Sequence, residues 1–339
     1  MTSESPGVTT ATILLTAGLL LIAYLLGEVL LLVFASVVLA VGLDGLSNVL
    51  SRRLPVSRNW ALAAASLVIF VSIFAVFGLS AGRLVQQLQQ VGAAIVDFAE
   101  QGHAWLTEIG VMREPEDGDN GLASSLREMS GQALDWGMTA VGAISSLIIL
   151  MVLTGFLSAN PDLYRSGAVR LVPPGKRELV QDTLSALAAA LRWWFLGQLV
   201  SMAILGVTVG LGLFFLGVDL WLGIAVLTAL LTFIPFIGPL IAAVPIVAVG
   251  FAAGMQTGWI VLIGYVMIQN LEGSVIGPMI QQRAVNLAPA LLIAVQVLLS
   301  LVFGAMGLIL AAPLTIVAMV AVQKLWVKHT LGEHVADYS

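Results

Sequence analysis

An all-α, polytopic bundle of transmembrane helices is expected of this chain. Of its 339 residues 59% are hydrophobic and 10% are charged, against about 45–50% and about 25% in soluble domains. Mean hydropathy is +1.03. The apolar residues also gather into runs that can cross a bilayer. A helix rises 1.5 Å per residue, so a hydrocarbon core of roughly 30 Å takes about 20 apolar residues. The 34 glycines and 12 prolines fit, since both are commoner in membrane helices than in soluble ones. About eight spans are predicted, broken or re-entrant hairpins among them, together with one amphipathic helical module outside the membrane.

The run 11–43 is interrupted by one charge, Glu28. It is too long for one span, so it reads as a tight hairpin with Gly27-Glu28 at its tip. No Lys or Arg precedes it and Glu4 does, so it reads as a retained helix and not as a cleaved signal. Spans follow at 60–81, 136–157 and 195–217. The run 220–254 holds no charge but three prolines, Pro235, Pro239 and Pro245, with Gly238 between the first two. Interior prolines remove helical hydrogen bonds, so this run contains two segments joined at a break. The span 259–276 carries Gln269, Asn270 and Glu272. The last run, 291–322, has breaks near Gly304, Gly307 and Pro313, and its short first half suggests a re-entrant hairpin or two tilted helices.

Basic residues set the orientation. Eleven of the 14 lie in 44–59, 158–195, at Arg283 and at Lys324 and Lys328, and three lie in 81–135. One topology places all eleven inside, with both termini cytoplasmic and 81–135 outside. Its parity makes both broken runs hairpins. The chain then divides into 1–80 (helices 1–3), the outer module 81–135, helix 4 at 136–157, an inner loop and interfacial helix at 158–194, a C-terminal core of broken helices at 195–325, and a tail at 326–339. The outer module carries nine acids against three arginines, more than the whole net charge of −5. Leu84, Leu88, Val91, Ile95 and Phe98 lie on one helical face there. It reads as a packing or oligomer contact, or as a gating lid. Lys176, Arg177 and Arg192 flank a helix that ends in Trp193-Trp194, which suits an interfacial helix with an aromatic pair at the headgroups.

Several chemistries are missing. A pI near 5.1 argues against a nucleic-acid partner. There is no cysteine, no GxxxxGK[ST] nucleotide loop and no HExxH. The three histidines, His103, His329 and His334, lie outside the spans, so no intramembrane Ser–His pair forms. Gly210-x-Gly212 is followed by Phe215 where a dinucleotide fingerprint needs glycine. No enzyme activity, nucleotide, metal or other cofactor is expected.

What is present is polar chemistry on apolar helices. Ionisable groups in a membrane are costly and mark function by default. Glu272, with Gln269 and Asn270 beside it, could bind a proton, a cation or a polar solute; the alternative is a carboxylate at the inner helix end or one that satisfies broken backbone. Glu28 and Asp219 are weaker candidates at outer helix ends. Arg283 could clamp an anionic solute or serve as a positive-inside anchor. Pro235, Gly238 and Pro239 free backbone carbonyls, and unpaired backbone at membrane depth is tolerated where it is buried or lines a cavity; a simple hairpin turn is the other reading. The glycine pairs 206/210, 250/254 and 273/277 permit close helix approach. Trp60, Trp136, Trp259 and Trp326 read as belt residues.

These motifs together resemble the autoinducer-2 exporter family of prokaryotic membrane transporters. The resemblance rests on Phe233-Ile234-Pro235-Phe236-Ile237-Gly238-Pro239, on Gly197-Gln198, and on Gln269, Glu272 and Pro278 followed by Val285-Asn286-Leu287-Ala288-Pro289. Gly304-x-x-Gly307 and Leu310-Ala311-Ala312-Pro313-Leu314 complete it. Leu299-Ser300 stands where members often carry a glycine pair, which argues against tight packing of the last hairpin. The resemblance implies export of a small solute, namely autoinducer-2 or a related metabolite. It also implies a prokaryotic inner membrane and a homo-oligomer, with a pentamer suggested. Gln198, Gln269, Asn270 and Glu272 would then supply polar contacts along the solute pathway. Two alternatives stay open: a monovalent-cation/proton antiporter using Glu272, and a non-transporting scaffold acting through the outer module.

Overall fold

A computed structural model describes residues 26–53, 55, 57–74, 107, 146–276 and 288–328. The outer module, apart from Thr107, lies outside the described residues, as do the first arm of the N-terminal hairpin, Trp136, Arg283 and the end of the tail. Among the described residues the only regular structure is helical, with no strand. The helices are α1 (Gly27–Arg53), α2 (Arg58–Phe74), α3 (Ser146–Ala159), α4 (Pro161–Arg170), α5 (Arg177–Phe215), α6 (Trp221–Thr232), α7 (Ile237–Ala252), α8 (Met255–Leu271) and α9 (Pro289–Ala321).

Three helical stretches are long and apolar enough to cross a bilayer: Gly27–Arg52, Pro174–Phe215 and Pro289–Val327. α1 begins at Gly27, where the tip of the first hairpin is expected, and Glu28 lies exposed in its first turn. It runs on through Arg53, so the expected inner loop 44–59 shrinks to the link 54–57. No proline interrupts it before Pro55, and hydroxyl and amide side chains bond along its end: Ser47 Oγ donates to Asp44 O at 2.8 Å and Asn48 Nδ2 to Asp44 Oδ2 at 3.2 Å.

The expected division at 194/195 contains no break. α5 is one helix of 39 residues, roughly 58 Å long, because no proline falls within it. Trp194 is buried and meets Phe233 edge-on at 5.6 Å, so it is a core residue and not half of an interfacial pair. Trp60, Trp259 and Trp326 are exposed, as belt positions require.

Both broken runs are hairpins. α6 and α7, 12 and 16 residues long, span about 18 and 24 Å, each short of a full crossing. They are joined at 233–236. Away from that join the two helices meet in one cluster containing Val218, Ile224, Ile246 and Val249. Asp219 is exposed in the turn before α6. α9 breaks at Gly304 alone (φ 59°, ψ −143°), and Pro313 continues as helix. Beyond that break the chain doubles back. Leu292 and Ala312 pack in the same cluster, and a Cβ on Gly307 would lie 2.7 Å from the carbonyl carbon of Leu299, closer still to its oxygen. The two arms, 289–303 and 305–321, therefore pack tightly despite Leu299-Ser300, because Gly307 alone provides the room. Gly206 and Gly210 likewise bring α5 onto Ala229 and Ala225 of α6, and Gly250 sits against Val261; nothing approaches Gly273.

The ion pairs collect at one end. Asp44 accepts from Arg58 at 2.6 Å and from Arg192 at 2.7 Å, and Lys324 meets Asp182 at 3.0 Å. Gly27 lies at the opposite end, against Phe303 at the α9 tip. The start of α2, the first half of α5 and the residues just after α9 thus share one end of the bundle. Asp44→Asn is expected to cost roughly 1–2 kcal/mol, since Asp44 is only partly exposed and two arginines lose their partner at once. Thermal unfolding in detergent reads this; an unchanged midpoint would mean that water replaces the pair without cost.

Candidate functional site: the broken hairpin and its clamps

The local chemistry of the α6–α7 tip follows from its prolines. Pro235 and Pro239 have no backbone N–H. Pro239 is the third residue of α7, within the first turn, where a missing donor costs nothing to its own helix. Its absence leaves Pro235 O without the usual helical partner. The chain responds with a tight three-residue turn: Ile237 N donates to Pro235 O at 2.8 Å, and Phe236 takes φ 63°, ψ −59°. Phe236 is the one residue other than glycine with positive φ among the described residues. Such geometry costs of the order of 1–3 kcal/mol and survives where the surroundings over-determine it.

The surroundings are three side chains from three other helices. Gln198 Nε2 of α5 donates to Thr232 O. Gln296 Nε2 of α9 donates to Pro235 O at 2.8 Å. Tyr265 Oη of α8 donates to Pro239 O at 2.7 Å. Gln296 is fully buried and Tyr265 nearly so. Broken backbone at membrane depth must find partners within the protein, and here each clamp comes from a different helix. Gly238 allows the approach: a Cβ there would stand 2.7 Å from the carbonyl carbon of Leu231.

Glu272 lies next to this assembly. It is the first residue of a π-helical turn, Glu272–Ile276, which closes α8, and π turns are frequent at functional sites. Ser201 Oγ donates to Glu272 Oε1 at 3.4 Å, a long bond. Ser201 is buried on α5, one turn from Gln198. Gln269 packs toward the Tyr265 hydroxyl, and its buried Nε2 makes no hydrogen bond, nor does Gln296 Oε1. Two amide atoms are thus left unsatisfied around the clamped tip. Arranged this way, the site can donate to and accept from a hydroxylated or carbonyl-bearing solute, and it holds one carboxylate.

The structure gathers Gln198, Pro235, Gly238, Pro239, Gln269 and Glu272 but not Asn270. That residue is exposed and turns its amide back onto Val266 O at 2.8 Å. Arg283 is outside the described residues. Ser201, Tyr265 and Gln296 join the site without having been singled out beforehand. Gln296 had a visible signal, being the one amide on the first arm of the last run, and Tyr265 lies one turn before Gln269.

Two concavities of about 320 and 300 Å³ lie away from this chemistry. One follows the α5–α6 contact over Gly206 and Gly210, and the other separates α5 from α7 and α8 and touches the site only at Tyr265. Their walls are apolar, so they are packing grooves and not the polar site.

The family model described as AI-2E family transporter matches residues 13–326. The candidate transport protein YrrI of Bacillus subtilis (strain 168) is 25% identical over 269 residues, covering 75% of this chain and 76% of its own. A Thermotoga maritima candidate transport protein is 22% identical over 269 residues, 77% of this chain and 76% of its own. The AI-2 transport protein TqsA of Escherichia coli (strain K12) is 34% identical over 100 residues, 28% of each chain.

Proposed function

The chain belongs to the AI-2E family of transporters, and from that footing we propose that it exports a small polar solute of the autoinducer-2 kind, or a related metabolite, across a prokaryotic inner membrane. The observation that carries this reading is the clamped break: three backbone carbonyls, Thr232 O, Pro235 O and Pro239 O, held by Gln198, Gln296 and Tyr265 beside Glu272. A strained tip held by polar side chains from three helices can shift as a unit, and the unsatisfied amides of Gln269 and Gln296 suit a hydroxyl-rich solute. The name of the Escherichia coli relative supports the solute class. In this reading the chain completes about eight spans, hairpins included, with both termini and the Asp44–Arg192 end cytoplasmic. Arg283 lies on the inner side of the pathway, and copies associate as a homo-oligomer, a pentamer by resemblance.

A second reading, monovalent-cation/proton exchange, is favoured by one observation: a carboxylate, Glu272, joins the site on an apolar helix and accepts from the Ser201 hydroxyl. The two readings separate in proteoliposomes. The first expects a solute from a metabolite panel to be moved without sodium-dependent proton release; the second expects that release, and its loss in Glu272→Gln. Under either, Glu272→Gln should flatten the pH dependence of transport from about pH 5 to about pH 9. A wild-type profile retained by the variant removes Glu272 from the mechanism.

A further inference from the structure

The end of α3 carries a feature that the transport site does not use. The chain turns there by 83° at Asn160 into α4. Pro161 opens α4 at its first position, where it costs no hydrogen bond. α3 itself faces outward along one apolar stripe, Ile148, Val152 and Phe156, all at least half exposed, as a lipid-facing span requires. A helix bent almost perpendicular to such a span lies close to the membrane plane.

α4 has two opposite faces. Arg165 and Val169 turn toward α5: Arg165 donates to Ser185 Oγ and, at 3.2 Å, to Gln181 O, and Val169 is partly buried. Leu163, Gly167 and Leu171 recur at four-residue steps on the other face, with Tyr164 alongside. Leu163 is 65% exposed and Leu171 88%, and no residue of α4 is buried. Nothing stands within 4 Å of where a Gly167 Cβ would be. Around this face residues 161–177 hold four basic residues, Arg165, Arg170, Lys176 and Arg177, against one acid, Asp162, a net of +3. Arg165 is committed to α5, and Arg177 Nε donates to Val172 O at 3.2 Å. Arg170 and Lys176 form no ion pair among the described residues. Exposed leucines with unpaired cations at their edge are the pattern of a helix that lies in a charged membrane surface.

We propose that α4 and the turn after it dock onto anionic phospholipid headgroups, with Leu163, Tyr164 and Leu171 entering the interface and Arg170 and Lys176 contacting the phosphates. Through Arg165 this seat fixes the start of α5, the helix that carries Gln198 and Ser201 of the transport site. The interfacial helix expected between Lys176 and Trp194 is thus replaced in that role by α4.

The chain has no cysteine, so Leu171→Cys and, separately, Tyr164→Cys offer single labelling sites on the full-length protein. Each is labelled with an environment-sensitive maleimide dye and reconstituted in phosphatidylcholine vesicles with or without phosphatidylglycerol. Val152→Cys on α3 serves as the lipid-buried reference. With phosphatidylglycerol present, quenching by a spin-labelled lipid should approach that reference, and quenching by aqueous iodide should fall about fivefold. Arg170→Gln together with Lys176→Gln, or high salt, should reverse the change. Because these positions are exposed, unfolding is checked by an unchanged melting midpoint. Equal iodide quenching in both vesicle types, or an effect of phosphatidylglycerol that survives the double Gln variant, overturns the proposal. A face that stays open to iodide in anionic vesicles would be a surface for a soluble partner, and that too overturns it.

Discussion

Gly238→Ala is expected to unfold the α6–α7 hairpin, at a cost of about 3 kcal/mol or more. The methyl group has no space. It would lie 2.7 Å from the Leu231 carbonyl carbon and 3.4 Å from the Ile234 Cβ. Side chains can rotate away from such a clash, but Leu231 C=O belongs to the last turn of α6 and already accepts from Ile234 N at 3.0 Å. Relief therefore means separating α6 from α7, which exposes the cluster around Ile224 and Ile246. Gly307→Ala should act in the same way on the α9 hairpin, through the Leu299 carbonyl. The controls lie in the same molecule. Nothing comes within 4 Å of a Cβ at Gly155, Gly212 or Gly264, so alanine there should be neutral, or stabilise by up to about 1 kcal/mol through helix propensity. The melting midpoint in detergent, followed by size-exclusion fluorescence, ranks the five variants. Equal midpoints for Gly238→Ala and Gly212→Ala would show that the hairpin is not closed on Leu231.

The contrast among these glycines explains what was readable beforehand. Proline and glycine act locally, through a missing donor and a missing Cβ, so Pro235, Gly238, Pro239 and Gly304 announce their breaks in the sequence. The family resemblance rests on the same residues, and the match over residues 13–326 bears it out. Which of several breaking residues ends a helix depends on tertiary contact. Pro313 is carried inside α9, packed in the core. The clamps are long-range by nature: Gln296 and its carbonyl are 61 residues apart, Tyr265 and its carbonyl 26. No periodicity records such a pairing, because a lone amide on an apolar helix looks the same whether it caps a distant carbonyl or its own backbone. Asn270, grouped with Gln269 and Glu272 by adjacency, does the latter. The Trp193-Trp194 pair shows the same limit: aromatic residues suit an interface and a core equally well, and only Phe233 on the facing tip decides for Trp194.

The clamps lead to the second large effect. Gln198→Leu, Tyr265→Phe and Gln296→Leu each remove one donor from the tip, and each should lower stability by about 1 kcal/mol. For Gln296 the loss is softened twice: Pro235 O keeps its bond from Ile237 N, and the substitution also removes an unsatisfied buried Oε1. The three acceptors are separate carbonyls, so the stability losses should add to within a few tenths of a kcal/mol. Transport should behave otherwise. If the tip works as one rigid body, loosening any single clamp lets Phe236 relax from its strained φ and the tip lose register with Glu272. Any one substitution should then remove tenfold or more of the rate, and the second and third should add little, as for residues that act as a unit. Rates of the panel solute in proteoliposomes, set against midpoints for the same seven single, double and triple variants, test this. Hydrogen exchange at the Ile237 amide should rise in every one. Rates that fall in step with stability, variant by variant, would reduce the clamps to ordinary structural bonds and leave the moving part of the transporter elsewhere.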